Sequence, residues 1–314
     1  LDVATASQPS RGRIEQRIWR PTIDHGAGRR HRVAQTIDCF VPDPIADWDP
    51  ALTASTAALV AEADLEVWDF NRQAPELQGL DALARQLLRQ ESVGSSRIEN
   101  LVVGQRRLAR AAAGGAERDE TAALIVGNVR AMERAIALAT EPRPLTRDDV
   151  VAIHRTLFEG THDARLAGVV RREQNWIGRS SYSPAGADFI PPPPEVVEQL
   201  LDDLAAFLNR HDLPVTLQAA IAHAQFEAIH PFLDGNGRTG RCLIHVVYRR
   251  RDLARTLVPP ISLVLATHSD LYVRGLDAYC FGDLKDWLLP FAGATVKAVD
   301  SAHELAARVG ALRE

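Results

Sequence analysis

The sequence predicts an all-α fold interrupted by one β-hairpin. Three observations carry this. From about Ala51 onward apolar residues recur at helical spacing. Strand-type residues collect in one stretch, 169–194. Glycine and proline breakers punctuate the periodic segments. The chain has 314 residues, 46% hydrophobic and 25% charged. Helices of that length and composition can bury a core without disulfides or a structural metal.

Residues 1–50 read as irregular, rich in Pro, Gly, Ser and Arg, with seven arginines between Arg11 and Arg32. A short basic stretch reads first as a solvated extension, and only second as an arm for nucleic acid. Helices then follow one another. Leu52, Leu59, Val60 and Ala63 share one face, as do Leu80, Leu83, Leu87 and Leu88. Gly114 and Gly115 end a helical stretch, residues 121–139 form the next, and the segment Glu141 to Pro144 breaks it. Thr146 with Asp148 and Asp149 opens another, placing acids at the positive end of the helix dipole. Val169, Val170, Trp176, Ile177, Tyr182, Phe189 and Ile190, interleaved with Gly178, Pro184 and Gly186, predict the hairpin at 175–190. Pro191–Pro194 lead into a helix to about Asn209. Further helices are expected at 214–229, 238–252, 268–280, 283–298 and 300–313. The expected division is an extension at 1–37, an N-terminal helical module at 38–140 and a core at 141–314.

Composition narrows the function classes. The net charge of −5 disfavours a protein that coats nucleic acid or an anionic membrane. All but two of the 36 basic residues are arginine, a bias that suits bidentate grip on phosphate but also follows from genome composition. Cys39, Cys242 and Cys280 are scattered and odd in number, so a disulfide framework or zinc site is not expected. A reducing cytoplasmic compartment fits such cysteine usage. No apolar run approaches the ~18–20 residues that span a bilayer, and no signal-peptide stretch is seen. The chain opens at Leu1 and its single methionine is Met132, so its start is expected to be trimmed or non-standard.

The segment His230-Pro-Phe-Leu-Asp-Gly-Asn-Gly-Arg-Thr-Gly-Arg241 lies between two helical patterns. Gly235 and Gly237 allow a tight loop and a close backbone approach. A helix begins near Arg238, and loop N–H groups at its start make an anion nest. Arg238 and Arg241, three apart, share one face of the first turn, and phosphate is their natural partner. Asp234 can offer Mg²⁺ a hard oxygen. His230 can act there as a general base. Phe232 reads as an anchor. Together these are parts of a phosphoryl- or nucleotidyl-transfer site. Two rival readings are a metal triad of His223, Glu227 and His230 at i, i+4 and i+7, and a DNA-reading helix with Arg249–Arg251 as phosphate contacts. The first lacks a catalytic zinc pattern. The second does not need Gly-Asn-Gly flanked by an acid and a base, and its arginines read as a solvated face.

The same segment resembles the Fic family signature, His-x-Phe-x-(Asp/Glu)-Gly-Asn-Gly-Arg-x-x-Arg, and matches every fixed position. The resemblance implies a mostly helical fold and transfer of AMP from ATP to a hydroxyl of a target protein. It implies that His230 deprotonates that hydroxyl and that Asp234 holds Mg²⁺. Gly235, Asn236 and Gly237 would cradle the phosphates, with Arg238 and Arg241 on the triphosphate. Ser95-Ser96-Arg97-Ile98-Glu99-Asn100 resembles the family's inhibitory pattern, (Ser/Thr)-x-x-x-Glu-(Gly/Asn). With Ser95, Glu99 and Asn100 as its fixed positions, it implies that Glu99 sits on a helix pressed against the site and pairs with Arg241 where the γ-phosphate belongs. The hairpin at 175–190 is similar to the family's flap, which holds a target segment by strand addition. Tyr272 resembles a position near adenine, although Leu271 stands where a second Tyr is usual. It reads equally as core.

The resemblance covers about residues 38–300. It leaves the target, the donor nucleotide and a homodimer open. Removal of AMP with Glu99 aligning a water, and a non-catalytic nucleotide-binding regulator, are the alternatives. Other donors, such as another nucleotide or a phosphocholine compound, also stay open.

Overall fold

A computed structural model describes residues 11–21, 33–74, 77, 79–115, 119–178 and 182–311. The fold is mostly helical, as expected. The first long helices are α1 (Ala54–Gln73) and α2 (Leu80–Ile98). Thr53 caps α1 by accepting the Thr56 N–H at 3.2 Å. A short α3 (Gln105–Arg110) and then α4 (Glu120–Ala139) follow. Helix α5 (Arg147–Phe158) opens on a capping box between Thr146 and Asp149, at the place the acids mark in the sequence.

Helix α6 (Pro194–Leu208) starts with proline in its first turn. Helix α7 (Val215–Ile229) is buried on nearly every side, because Leu217, Ala219, Ala220, Ile221, Ala222, Ala224, Phe226 and Ile229 give it an apolar surface all round. It forms the axis of the core, and α8 (Asn236–Arg250) packs beside it. The loop joining α7 to α8 is residues 230–235, the segment singled out above.

After α8 come a short α9 (Ile261–Leu265), α10 (Ser269–Phe281) and α11 (Leu284–Ala311). The helices expected at 283–298 and 300–313 are therefore one. The polar step Asp300-Ser301 does not break it, since Ser301 Oγ donates back to the Lys297 carbonyl at 3.0 Å.

Strands depart most from expectation. The stretch read as irregular contains β1 (Gly12–Trp19) and β2 (Gln35–Pro42), an antiparallel pair in register from Gly12 with Pro42 to Trp19 with Gln35. Sequence patterning missed β1 because both of its faces are largely exposed, with Ile14 and Ile18 open to solvent. Its order comes from the ladder to β2, whose Cys39, Phe40 and Val41 are buried. The one hairpin expected, at 175–190, is present as a second pair, β3 (Ile177–Gly178) and β4 (Ala187–Phe189). Its residues 179–181 lie outside the described residues. The two sheets touch: Phe40 N–H donates to the Ile190 carbonyl at 2.8 Å, and Trp19 meets Trp176 edge to face with centroids 5.7 Å apart. Of the arginines between Arg11 and Arg32, Arg29, Arg30 and Arg32 lie outside the described residues.

The Arg249–Arg251 run is not simply a solvated face. Arg250 donates to the Arg143 carbonyl at 2.7 Å, and Arg251 to the His211 and Leu213 carbonyls and to Gln218 Oε1. Arg250 and Arg251 tie the end of α8 to neighbouring loops, which removes the reading of those two as phosphate contacts. Among the described residues the three cysteines are free and buried, and no helix is long and apolar enough to cross a membrane.

Candidate active site

The site gathers the α7–α8 loop, the first turn of α8, the end of α2 and the root of the second hairpin. The sequence brings α7 to a stop at His230, which takes a left-handed conformation (φ +49°) ahead of Pro231. The chain then turns through Gly235 (φ +80°) into α8. Asn236 holds this turn shut. Its Oδ1 accepts the Phe232 N–H at 2.9 Å and its Nδ2 donates to the Phe232 carbonyl at 2.8 Å. The Asn236 side chain is therefore spent on the loop, and only its backbone N–H faces a ligand role.

His230 is held by residues that the motif does not include. Arg171, buried at 2% exposure, donates its Nε to the His230 carbonyl at 2.8 Å. Its other nitrogens reach the carbonyls of Glu173, Pro192 and Ile229. Asn175 Nδ2 donates to the Phe232 carbonyl at 2.9 Å. His154, fully buried, stacks on Phe232 with centroids 3.6 Å apart. Its Nδ1 accepts the Gly168 N–H at 3.0 Å, so its Nε2 carries the proton donated to the Asp234 carbonyl at 2.9 Å. No sequence signal marks Arg171, Asn175 or His154, because each acts through backbone carbonyls or amides. Burial, with the Arg171 charge adding to it, pushes His230 down to about 4. Its imidazole is neutral at ordinary pH, the form that accepts a proton.

Arg241 is enclosed at 1% exposure and its donors converge on α2 and α10. Nε donates to Ser95 Oγ at 2.9 Å and Nη2 to the Ser95 carbonyl at 2.9 Å. Nη2 also meets Glu99 Oε1 at 2.7 Å. Nη1 donates to Tyr272 Oη at 3.2 Å, and that hydroxyl pairs with His223 Nε2 at 2.9 Å. Tyr272 is thus 4% exposed and supports Arg241; it offers no open face for stacking on a base. His223 is committed to Tyr272, and among the described residues no group of three or more His, Cys, Asp or Glu could hold a metal. The metal-triad reading falls with that.

Glu99 ends α2 in a full Schellman turn. The Leu101 N–H bonds the Ser96 carbonyl and the Asn100 N–H bonds the Arg97 carbonyl, both at 3.0 Å, with Asn100 at φ +59°. The position after Glu99 must be left-handed, which is the physical reason for Asn or Gly there. The Glu99 carboxylate lies directly over the Cα of Gly237, where a side chain would collide with it. Burial pushes this carboxyl up, but the Arg241 charge and hydrogen bond, with the Arg238 charge behind, hold it below the usual range. An ionised carboxylate therefore sits against the N-terminal turn of α8, the place that favours an anion.

Arg238 lies beside it at 2% exposure, its guanidinium 5.3 Å from the Phe158 ring. Its Nε and Nη1 are buried without a hydrogen-bond partner, and Nη2 reaches Asp234 Oδ1 only at 3.4 Å. Unpaired buried donors are costly, so this guanidinium is aimed at an acceptor that a ligand supplies. The Asp234 carboxylate is more than half exposed at the mouth of the site. A single exposed carboxylate beside an anion nest fits Mg²⁺, which takes one or two carboxylates and fills its shell from phosphates and water.

Comparison with known proteins agrees with this arrangement. Residues 144–248 match the Fic/DOC family, and residues 57–137 match the Fic/DOC family N-terminal domain. The chain belongs to the Fic/DOC family. The protein adenylyltransferase fic-1 of Caenorhabditis elegans is 32% identical over 155 residues, 48% of this chain and 27% of that protein. The protein adenylyltransferase Fic of Nematostella vectensis is 29% identical over 168 residues, 52% of this chain and 35% of that protein. The aligned part thus spans about a third or less of these relatives' own length. A Fic family protein from Desulfovibrio desulfuricans superposes with a TM-score of 0.66 at 25% identity, over 82% of this chain and 77% of its own. Residues 134–508 of C. elegans Fic-1 superpose with a TM-score of 0.62 at 20% identity, over 80% and 74%. In this Fic protein the signature loop and the segment carrying Glu99, 131 residues upstream of His230, meet at one guanidinium, that of Arg241.

Proposed function

We propose that this Fic protein is an autoinhibited protein adenylyltransferase. It transfers AMP from ATP to a Ser, Thr or Tyr hydroxyl of a target protein and releases pyrophosphate. The observation that carries the reading is the Glu99 carboxylate lodged on Gly237 and Arg241, beside an Arg238 whose buried donors lack a partner. The site is built for a chain of anionic groups, and a tethered anion already fills part of it.

His230, neutral and fixed by Arg171, takes the proton of the target hydroxyl as its oxygen attacks the α-phosphorus. The bond from that phosphorus to the β-bridging oxygen breaks, and pyrophosphate leaves with the electron pair. The backbone N–H groups of the first turn of α8, with Arg238 and Arg241, bind the phosphates and stabilise the charge that develops. Asp234 would hold Mg²⁺, which supplies charge neutralisation on the phosphate oxygens. The β3–β4 hairpin holds the target segment by backbone pairing. With Glu99 seated, Arg241 is withheld from the terminal phosphate and the α-phosphate is misaligned for in-line attack.

The test uses α-labelled ATP with Mg²⁺, scored for label on the chain itself and on host lysate. Glu99→Gly should raise transfer well above wild type. His230→Ala in that background should remove it, a loss of about 10²–10⁴-fold or more. A Glu99→Gly chain that transfers no label refutes the assignment. The reverse reaction has its own support, since Glu99 is ionised, part-exposed and seated on Gly237 of the signature segment. Such a carboxylate could align a water on an AMP-modified target. Release of AMP that depends on an intact Glu99 would favour that direction.

A further inference from the structure

Helix α2 is held on α8 by more than its last residue. Glu91, Ser95 and Glu99 are spaced by four along α2, on one face. Their partners His245, Arg241 and Gly237 are spaced by four along α8, in reverse order. Glu91 Oε1 lies 3.0 Å from His245 Nε2. Ser95 Oγ accepts Arg241 Nε at 2.9 Å. Glu99 covers Gly237. Four residues advance about 6 Å along either helix, so the three contacts form a ladder in one antiparallel register.

The far rung is completely buried, with Glu91 at 0% and His245 at 1% exposure. Neither ring nitrogen of His245 has an aligned hydrogen bond, and the Glu91 carboxyl group is the polar partner that faces it. The same carboxyl group accepts the Ser262 N–H at 2.7 Å and its hydroxyl at 2.5 Å, which anchors α9. Around this rung the α2 surface is polar. Ser92, Ser95 and Ser96 are buried, and Asn128 Nδ2 on α4 donates to the Ser92 carbonyl at 2.8 Å. A seat of apolar side chains could slip at small cost. A buried contact between a carboxyl group and an imidazole adds little net stability, but it fixes register, because any shift leaves a buried polar group without a partner.

We propose that Glu91 and His245 form a second latch that sets the register at which Glu99 meets Arg241. Both are positioning residues, two helical turns and one helical turn from Glu99 and Arg241 respectively. The latch rests on the reading of Glu99 as inhibitor. Without it α2 loses its fixed register, and the Glu99 carboxylate spends more time off Gly237.

Label transfer from α-labelled ATP by the full chain tests this with Glu91→Gln and His245→Gln, each built with Glu99 intact and with Glu99→Gly. With Glu99 intact, each latch variant should raise transfer at least fivefold and lower the apparent KM for ATP. With Glu99→Gly, each should leave transfer within twofold, because no inhibitor remains to misplace. A merely structural role would lower transfer in both backgrounds. Ser262→Ala removes the α9 hydroxyl but keeps the Glu91–His245 contact, so it should stay at the wild-type rate. Latch variants at the wild-type rate beside an active Glu99→Gly chain overturn the latch alone. So does a Ser262→Ala chain as active as Glu91→Gln. A Glu99→Gly chain no more active than wild type overturns the inhibitory reading and the latch together. Should Glu91→Gln fail to fold, amide exchange at residues 92–98 in His245→Gln decides. Exchange at least tenfold faster than wild type supports the latch, and unchanged protection overturns it.

Discussion

Arg171 shows how a residue outside a motif decides whether the motif can work. Its guanidinium spans the carbonyls of Glu173, Pro192, Ile229 and His230, so one side chain ties the roots of the second hairpin to the turn that carries the proposed base. A lysine cannot reproduce that fork. In the Glu99→Gly background, Arg171→Lys should therefore lower kcat about 100-fold, as a misplacement near 1 Å does, while KM for ATP changes little. Steady-state label transfer checks both. The loop itself was legible because the fixed positions between His230 and Arg241 have narrow jobs: a left-handed turn, a closed Asx-type contact, the glycines 235 and 237, and two guanidinia. Arg171 and His154 were not legible, since a bond to a carbonyl asks only for a donor or a tautomer and leaves no pattern. Tyr272 was legible as an aromatic at the site but not in its role. Its hydroxyl turns inward to Arg241 and His223, a direction that a helix pattern does not give.

At the scale of elements, the helices of the core could be read because their apolar faces repeat with the helical period and their caps are chemical. Strands β1 and β2 and helix α9 escaped, and helix α11 was read as two, for physical reasons. Helix α9 is five residues long and follows Pro259-Pro260, so it resembles a buried connector. Helix α11 runs through Asp300-Ser301, where polarity suggested a break. Strand β1 lacks a buried face and is ordered by its partner. That dependence can be measured. Trp19 is the contact of β1 with the second hairpin, and an aromatic pair contributes about 0.5–1.5 kcal/mol beyond its area. Trp19→Ala should speed amide exchange across residues 35–41 by about fivefold or more, while α7 stays protected. Equal effects on both elements would mean that the sheet is not a separate unit of stability.

The whole molecule carries a pH signature set by its buried titratable groups. Burial pushes His154 and His230 down to about 4 and His223 down to about 3. Each stays neutral in the folded state while the unfolded chain takes up a proton below about 6.5. Unfolding thus binds protons, and stability falls as pH drops from 6.5 toward 3. Glu227 runs the other way. Burial raises its carboxyl to about 8, so the folded state keeps a proton that the unfolded chain releases above about 4.5. Its contribution is present below 4.5 and is lost as pH rises to 8. Three groups against one below 6.5, and one alone above it, place the maximum of Tm near pH 6.5. Scanning calorimetry from pH 4.5 to 8 checks this, and Glu227→Gln should flatten the alkaline side and steepen the acid side.

One contact made at Arg241 has a consequence in mass action. On the proposed reading, the end of α2 acts as a tethered competitor, present at an effective concentration that its register sets. A nucleotide that needs Nη2 of Arg241 binds only the fraction of molecules in which Glu99 has left. If α2 is seated in all but about one molecule in a hundred, apparent affinity falls about 100-fold. By linkage the relation is reciprocal: rising nucleotide loosens α2 by the same factor with which a loosened α2 tightens the nucleotide. A protein that docks on α2 would then set the nucleotide level at which this chain begins to act.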